Sequence, residues 1–221
     1  MHLTKVGQLV SIIILSCLLA GCGAAQLTLL TTLPTLVVLG DSVSAGQYLP
    51  DTSAAYPSLL AVDLHGRLTV YAAPGHTTAQ THSMYTGELS PSYAVIELGT
   101  NDYNGSVPLT IFAAAYRSVV ASIAPVTRLV CLSVWDPRSL ADAGWSFPLG
   151  IPAPVNRVGA TPAAYNAVIA RLCRGTYLSL QTLYDTPAYH GNGAPGPLYH
   201  PNAAGDAAIA RIVYAALQAS A

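Results

Sequence analysis

Apolar positions along this chain change period repeatedly, and the changes divide it into short buried strands and longer amphipathic helices. Leu36-Val37-Val38-Leu39 is a continuous apolar run stopped by Gly40-Asp41, the pattern of a strand buried on both faces. Further strands are expected over 68–71, ended by Pro74-Gly75, then over 94–98, 129–134 and 177–180. Between them the apolar period becomes helical. Tyr56, Leu59, Leu60 and Leu64 mark one face, and Leu109, Phe112, Ala113, Tyr116, Val120 and Ile123 mark a longer one. A helix facing inward through Tyr165, Val168, Ile169 and Leu172 starts at Thr161-Pro162, a capping residue followed by proline in the first turn. Ile209, Ile212, Val213, Ala216 and Leu217 mark a C-terminal helix. Strands alternating with helices imply a parallel sheet covered by helices on both faces. The longest irregular stretch, 135–160, holds both tryptophans and several prolines. It reads as a lid or pocket wall, with plain surface loop as the competing reading.

The first residues follow a different pattern. Lys5 precedes an apolar run over 9–20, which is shorter than the roughly 20 residues needed to span a bilayer and has the length of a secretory signal core. It ends in Leu19-Ala20-Gly21-Cys22, which resembles a bacterial lipobox, where the cysteine carries lipid. The expected organisation is a lipoprotein signal peptide over 1–21, a tether over 22–35 and one domain over 36–221. The expected location is extracytoplasmic, with a lipid anchor at Cys22 in a bacterial membrane. Cys17 then leaves with the leader, so Cys131 and Cys173 remain. Pairing is open to them in an oxidising compartment, but two buried free thiols, one on a strand and one on a helix, are the favoured expectation.

Composition narrows the partners. Nine basic against ten acidic residues give a formal net charge of -1, and only 9% of the chain is charged. The basic footprint of a nucleic-acid binder is missing. A small neutral substrate fits better. No close Cys/His grouping suggests a metal, and no Gly-Lys-Ser/Thr follows the first strand as in a phosphate-binding loop. The sequence calls for no cofactor.

Chemistry concentrates after the strands, where ligand sites form in open parallel sheets. The first strand is followed by Gly40-Asp41-Ser42-Val43-Ser44-Ala45-Gly46, the second by Ala73-Pro74-Gly75-His76, and the third by Gly99-Thr100-Asn101-Asp102. Leu198-Tyr199-His200-Pro201-Asn202 precedes the last helix. A serine hydroxyl needs a base to take its proton, and an imidazole titrates in the right range. A tetrahedral oxyanion needs N–H donors. Ser42, His200, Gly75 and Asn101 supply one of each role at one sheet edge.

In this order and spacing the motifs resemble the SGNH or GDSL hydrolases, across nearly the whole mature chain. The resemblance implies a three-layer, flavodoxin-like α/β fold with a five-stranded parallel sheet. It also implies a serine esterase with Ser42 as nucleophile, His200 as base, and Ser42, Gly75 and Asn101 as the oxyanion hole. The substrate class expected is a small acyl ester, such as an acetylated carbohydrate, or a lipid. A weakly catalytic glycan- or lipid-binding lipoprotein and an acyltransferase are the alternatives. The G-x-S-x-G elbow of the larger α/β hydrolases is missing around Ser42. One position departs from the family pattern: Pro197 stands where an aspartate usually orients the histidine. A backbone carbonyl or Asp185 in the loop after the fifth strand is then expected to hold the ring, or the protein is a slow or inactive relative. Asp41 and Asp102 are expected to bond loop backbone. Glu97 is expected to find a buried partner, and His76, His82 and His190 are read as surface or pocket histidines.

Overall fold

The computed structural model describes residues 33–135, 155–190 and 200–219. One compact unit, Pro34–Ala221, holds every described element. The expected signal peptide, Cys22 and Pro197 lie outside the described residues, as does 136–154 of the long irregular stretch.

Five parallel strands form the sheet: β1 (Thr35–Gly40), β2 (Arg67–Ala72), β3 (Tyr93–Glu97), β4 (Arg128–Leu132) and β5 (Thr176–Leu178). Their order is β2-β1-β3-β4-β5, so the winding reverses between β1 and β3, where doubly wound sheets open a crevice at their carboxyl ends. The helices are α1 (Tyr56–Asp63), α2 (Thr78–His82), α3 (Thr100–Asn104), α4 (Leu109–Ala121), α5 (Pro162–Leu172), α6 (Gln181–Tyr184) and α7 (Ala203–Ala219). The expected α/β architecture is what the chain adopts, and each of the five expected strands is present within two residues of its bounds. The single-turn helices α2, α3 and α6 carry too few residues for a period and were not legible as helices.

Alternation along the strands builds two cores. Leu36, Val38, Val95, Val130 and Leu132 point to one face, where Tyr56, Leu60, Ile209, Val213 and Leu217 of α1 and α7 cover them. Val37, Leu39, Ala94, Ile96, Leu129 and Cys131 point to the other, against Phe112, Tyr116, Tyr165, Val168 and Ile169 of α4 and α5. A fully buried leucine, valine or phenylalanine contributes roughly 1.5–3 kcal/mol, so this two-sided packing fixes the sheet edge on which the chemistry rests.

Cys131 and Cys173 form a disulfide, with Cα atoms 6.1 Å apart. This corrects the expectation of two free thiols. Cys131 faces the α5 side of β4, and Cys173 caps the C-terminus of α5, so helix and central strand are pinned together at that face. Sequence spacing gave no hint of a proximity that only the crossover creates.

Candidate active site

The register aligns Gly40 with Ala72 on one side and with Glu97 on the other. The three strand ends therefore release their loops at one level. After β1 the chain closes a tight turn, with Ala45 N–H donating to Asp41 O, Gly46 N–H to Val43 O and Gln47 N–H to Ser42 O. A Cβ at position 40 would lie 1.9 Å from Ser44 Oγ, so only glycine lets the turn fold back over the strand. Ser42 sits at the start of this turn. At the end of β2, Gly75 takes φ +78, and a Cβ there would meet nothing. Its glycine answers to backbone conformation alone.

His200 arrives from the far end of the chain. Its Nε2 lies 2.8 Å from Ser42 Oγ across a separation of 158 residues. The hydroxyl donates to Nε2 when the ring proton is on Nδ1. Asn202 fixes the segment that brings the ring in. Its Nδ2 donates to Ala188 O at 2.8 Å and His190 O at 2.7 Å, and its Oδ1 accepts from Gly205 N–H at 3.0 Å. Pro201 also bridges antiparallel to His190. The imidazole is thus carried on a backbone clamped at the start of α7. Burial pushes the His200 pKa down to about 4, which keeps the ring neutral at physiological pH, as an acceptor must be.

Asn101 joins the other two loops. In the first turn of α3, its Nδ2 donates to Asp41 Oδ2 at 3.1 Å and to His76 O at 3.0 Å. One amide therefore touches the residue before Ser42 and the residue after Gly75. The structure brings Ser42 and His200 into direct contact and ties the Gly75 and Asn101 loops to them through Asp41 and His76. Asp185 is exposed at the end of α6, where its Oδ1 accepts from Gln181 Nε2 at 3.0 Å.

Beneath the serine lies a layer of buried acids. Asp41 Oδ1 accepts from Val43 N–H at 3.1 Å, and Asp102 Oδ2 accepts from Thr78 N–H and Oγ1, each at 2.8 Å. Both aspartates bond loop backbone, as the sequence suggested. Glu97 Oε2 accepts from Ser44 Oγ at 2.9 Å and from Asp41 N–H at 3.4 Å. Ser44 Oγ also lies 2.7 Å from Tyr56 Oη, and Tyr56 N–H donates to Asp206 Oδ1 at 2.8 Å. Asp41, Glu97 and Asp206 are all buried. Burial raises each pKa: Asp41 to about 6, Asp206 to about 7, and Glu97 well above the carboxylate range, with the Asp41 charge adding to the rise. Asp102, the fourth buried acid, is shifted in the same direction by its burial, so the whole layer holds its protons more tightly than exposed carboxyls would.

His190, expected as a surface or pocket histidine, is buried: its Nε2 bonds Tyr184 O at 2.8 Å, and its ring tilts against Trp135 at 5.3 Å. Tyr48, which sequence reasoning passed over, meets the His200 ring with centroids 4.9 Å apart. Asn202 was overlooked as well, although an asparagine just ahead of a helical run is a recognisable cap.

The profile of the GDSL-like Lipase/Acylhydrolase family matches residues 38–208. No curated protein sequence matches the chain. Among solved structures it resembles LAE5, an alpha/beta hydrolase enzyme from the metagenome of Lake Arreo, Spain, at 17% identity and TM-score 0.60, covering 84% of this chain and 95% of that one. It also resembles the psychrotrophic esterase EstA from Pseudoalteromonas sp., at 15% identity and TM-score 0.58, covering 84% and 97% of the two chains. A third is SsfX3, a salicylyl-acyltransferase from a tetracycline biosynthetic pathway, at 19% identity and TM-score 0.65, covering 86% of this chain and 55% of that one. At such identities these likenesses speak for the fold, while the profile, spanning the site loops from β1 to α7, speaks for descent. The chain belongs to the GDSL-like lipase/acylhydrolase family and is an ester hydrolase of that type.

Proposed function

We propose that the protein hydrolyses a small acyl ester, an acetylated carbohydrate or a lipid ester, through an acyl-enzyme at Ser42 with His200 as general base. The observation that carries this reading is the 2.8 Å contact between Ser42 Oγ and His200 Nε2. It lies within the reach required for a nucleophile and its base. His200 Nε2 takes the hydroxyl proton as Oγ bonds to the carbonyl carbon. The ester C–O bond then breaks, and His200 returns that proton to the departing alcohol. Water, deprotonated by the same ring, releases the acid and restores Ser42.

Negative charge on the carbonyl oxygen is met by the N–H groups of Ser42 and Gly75 and by Asn101 Nδ2. The Asn101 amide has two hydrogens, now directed at Asp41 Oδ2 and His76 O. In this reading the Asp41 bond holds the amide plane, and the oxyanion takes the hydrogen from the His76 carbonyl. A developing oxyanion is the stronger acceptor, so the exchange favours the transition state over the ester. Asp185 is assigned no step.

The proposal extends to location. Lipid on Cys22, after removal of residues 1–21, would hold the domain at the outer side of a bacterial membrane. Cys22→Ala is expected to move the protein from the membrane to the soluble fraction. Unchanged membrane retention would remove the anchor.

The enzymatic reading is tested with purified protein and p-nitrophenyl acetate. The expected result is steady release of p-nitrophenol, lost in Ser42→Ala and in His200→Ala with folding intact by circular dichroism. Native rates in either variant would overturn the assigned pair. Adding a sugar or simple alcohol and analysing the products separates hydrolysis from acyl transfer.

A further inference from the structure

We propose that Tyr48 is a positioning residue, whose ring holds the His200 imidazole in line with Ser42. This inference rests on the Ser42–His200 reading above and adds a component that neither the motifs nor the fold requires.

The first observation is backbone conformation. Tyr48 has φ +70, the left-handed region that bulky L-residues avoid because Cβ crowds the carbonyl oxygen. Among the described residues His65 and Ser106 share it, at φ +48 and +57, and each has a local reason. His65 ends α1, where Gly66 N–H returns to Ala61 O, a usual left-handed helix stop. Ser106 follows α3 in the same manner, with Val107 N–H returning to Asp102 O. Tyr48 ends no helix. It is the third residue of a turn closed by Leu49 N–H returning to Gly46 O, a place where positive φ is met by glycine or asparagine rather than by an aromatic residue.

The second observation is that packing does not demand a tyrosine there. Position 46 must be glycine, since a Cβ would stand 2.8 Å from Ala55 Cβ. Position 48 has no such constraint. Its side chain is half-exposed, and neither apolar core includes it. Glycine or asparagine would adopt φ +70 with less strain and bury nothing less in the core. Strained residues persist where the surroundings over-determine them, and they gather at functional sites.

The third observation is where the ring goes. It meets the His200 imidazole in a tilted edge-to-face arrangement, with centroids 4.9 Å apart and planes at 68°. That is a favourable geometry for two aromatic rings. The contact closes one side of an imidazole whose Nε2 must stay aimed at Ser42 Oγ. Rotation about the histidine Cβ–Cγ bond would swing Nε2 off the hydroxyl, and the Tyr48 ring obstructs that swing. Ser42 and Tyr48 lie on one rigid turn, with Gln47 N–H bonded to Ser42 O. The nucleophile and the brace for its base are therefore set by the same short segment, and His200 docks between them.

Strain and function should then separate on mutation. Tyr48→Gly and Tyr48→Asn relieve the backbone and remove the ring. Both are expected to melt no lower than the native protein, yet to lose at least about tenfold in kcat on p-nitrophenyl acetate with KM nearly unchanged, since misplacing a catalytic group by about 1 Å can cost on the order of 10²-fold. Reaction of Ser42 with a small fluorophosphonate, which reads nucleophile activation with little binding, should slow by the same factor. Tyr48→Phe keeps the ring and should restore most of kcat.

Native kcat in the glycine and asparagine variants would overturn the proposal. So would a change confined to KM, which would make Tyr48 a substrate contact, or a lowered melting temperature in both variants that accounts for the lost activity. A phenylalanine variant as slow as glycine would assign the effect to the hydroxyl and end the bracing account. Loss of activity in Ser42→Ala together with native activity in Tyr48→Gly would sink this inference while leaving the proposed function intact.

Discussion

Replacing Asp206 by asparagine tests whether burial holds a proton on this acid in the folded protein. Asp206 is buried in the first turn of α7, and its Oδ1 accepts the Tyr56 N–H at 2.8 Å. Burial raises its pKa from 3.8 to about 7. The native state therefore keeps a proton that the unfolded chain gives up at lower pH. The stability that neutral Asp206 contributes is whole below about pH 4 and is lost as pH rises through about 7. A gap of about three pH units corresponds to about 4 kcal/mol, of which about 3 kcal/mol falls between pH 4.5 and 8.5.

Asparagine keeps the acceptor for Tyr56 and removes the titration. It adds one buried donor, at a cost of roughly 1–3 kcal/mol that does not vary with pH. That constant cancels in the comparison between the two pH values. Urea unfolding followed by tryptophan fluorescence should show the variant less stable than native near pH 4.5 and gaining about 3 kcal/mol on it by pH 8.5. The contributions of Asp41 and Glu97 are common to both proteins and drop out to first order. Parallel stability curves, offset by a constant, would show that Asp206 has the same pKa folded as unfolded and would refute the claim that burial raises it.

Other consequences follow from the site and the fold. Asn101→Ala should lower kcat by about 10²–10³-fold with native folding, the usual loss for one oxyanion donor; a loss below threefold would remove it from that role. Because burial lowers the His200 pKa to about 4, the base is neutral above that pH. The acid limb of kcat/KM should therefore fall near pH 4 rather than near 6.5, as initial rates across pH would show. Replacing Cys131 and Cys173 with alanine should lower unfolding free energy by up to about 4 kcal/mol on the chain-entropy view, since the bridge closes a separation of 42 residues. Equal stability in urea would indicate that the bridge constrains little.

The legible parts of this molecule are those written in local pattern. β1 followed by Gly40-Asp41-Ser42 is readable because an all-apolar strand must be buried and a glycine must follow it. The same holds for α4 and α7, which are long enough for a helical period to repeat. What escaped depended on contacts between distant segments. The Cys131–Cys173 bridge forms because α5 packs over β4, and nothing in either cysteine's neighbourhood signals the other. His190 reads as a surface or pocket histidine with no named neighbour, and its contacts with Trp135 and the Tyr184 carbonyl come from segments far apart or not locally patterned. The chain from Glu97 through Ser44 and Tyr56 to Asp206 spans four separate elements, so its acids looked unrelated. Tyr48 escaped for another reason: its meaning lies in a dihedral angle, and residue type predicts against that angle.

The central claim is that His200 activates Ser42. Its most direct measurement is fluorophosphonate labelling with the modified residue identified by peptide mass spectrometry, in the native protein and in His200→Ala. The account predicts stoichiometric modification on Ser42 in the native protein and labelling slowed by several orders of magnitude in the variant. A label on another residue, or equal rates in the two proteins, would contradict it.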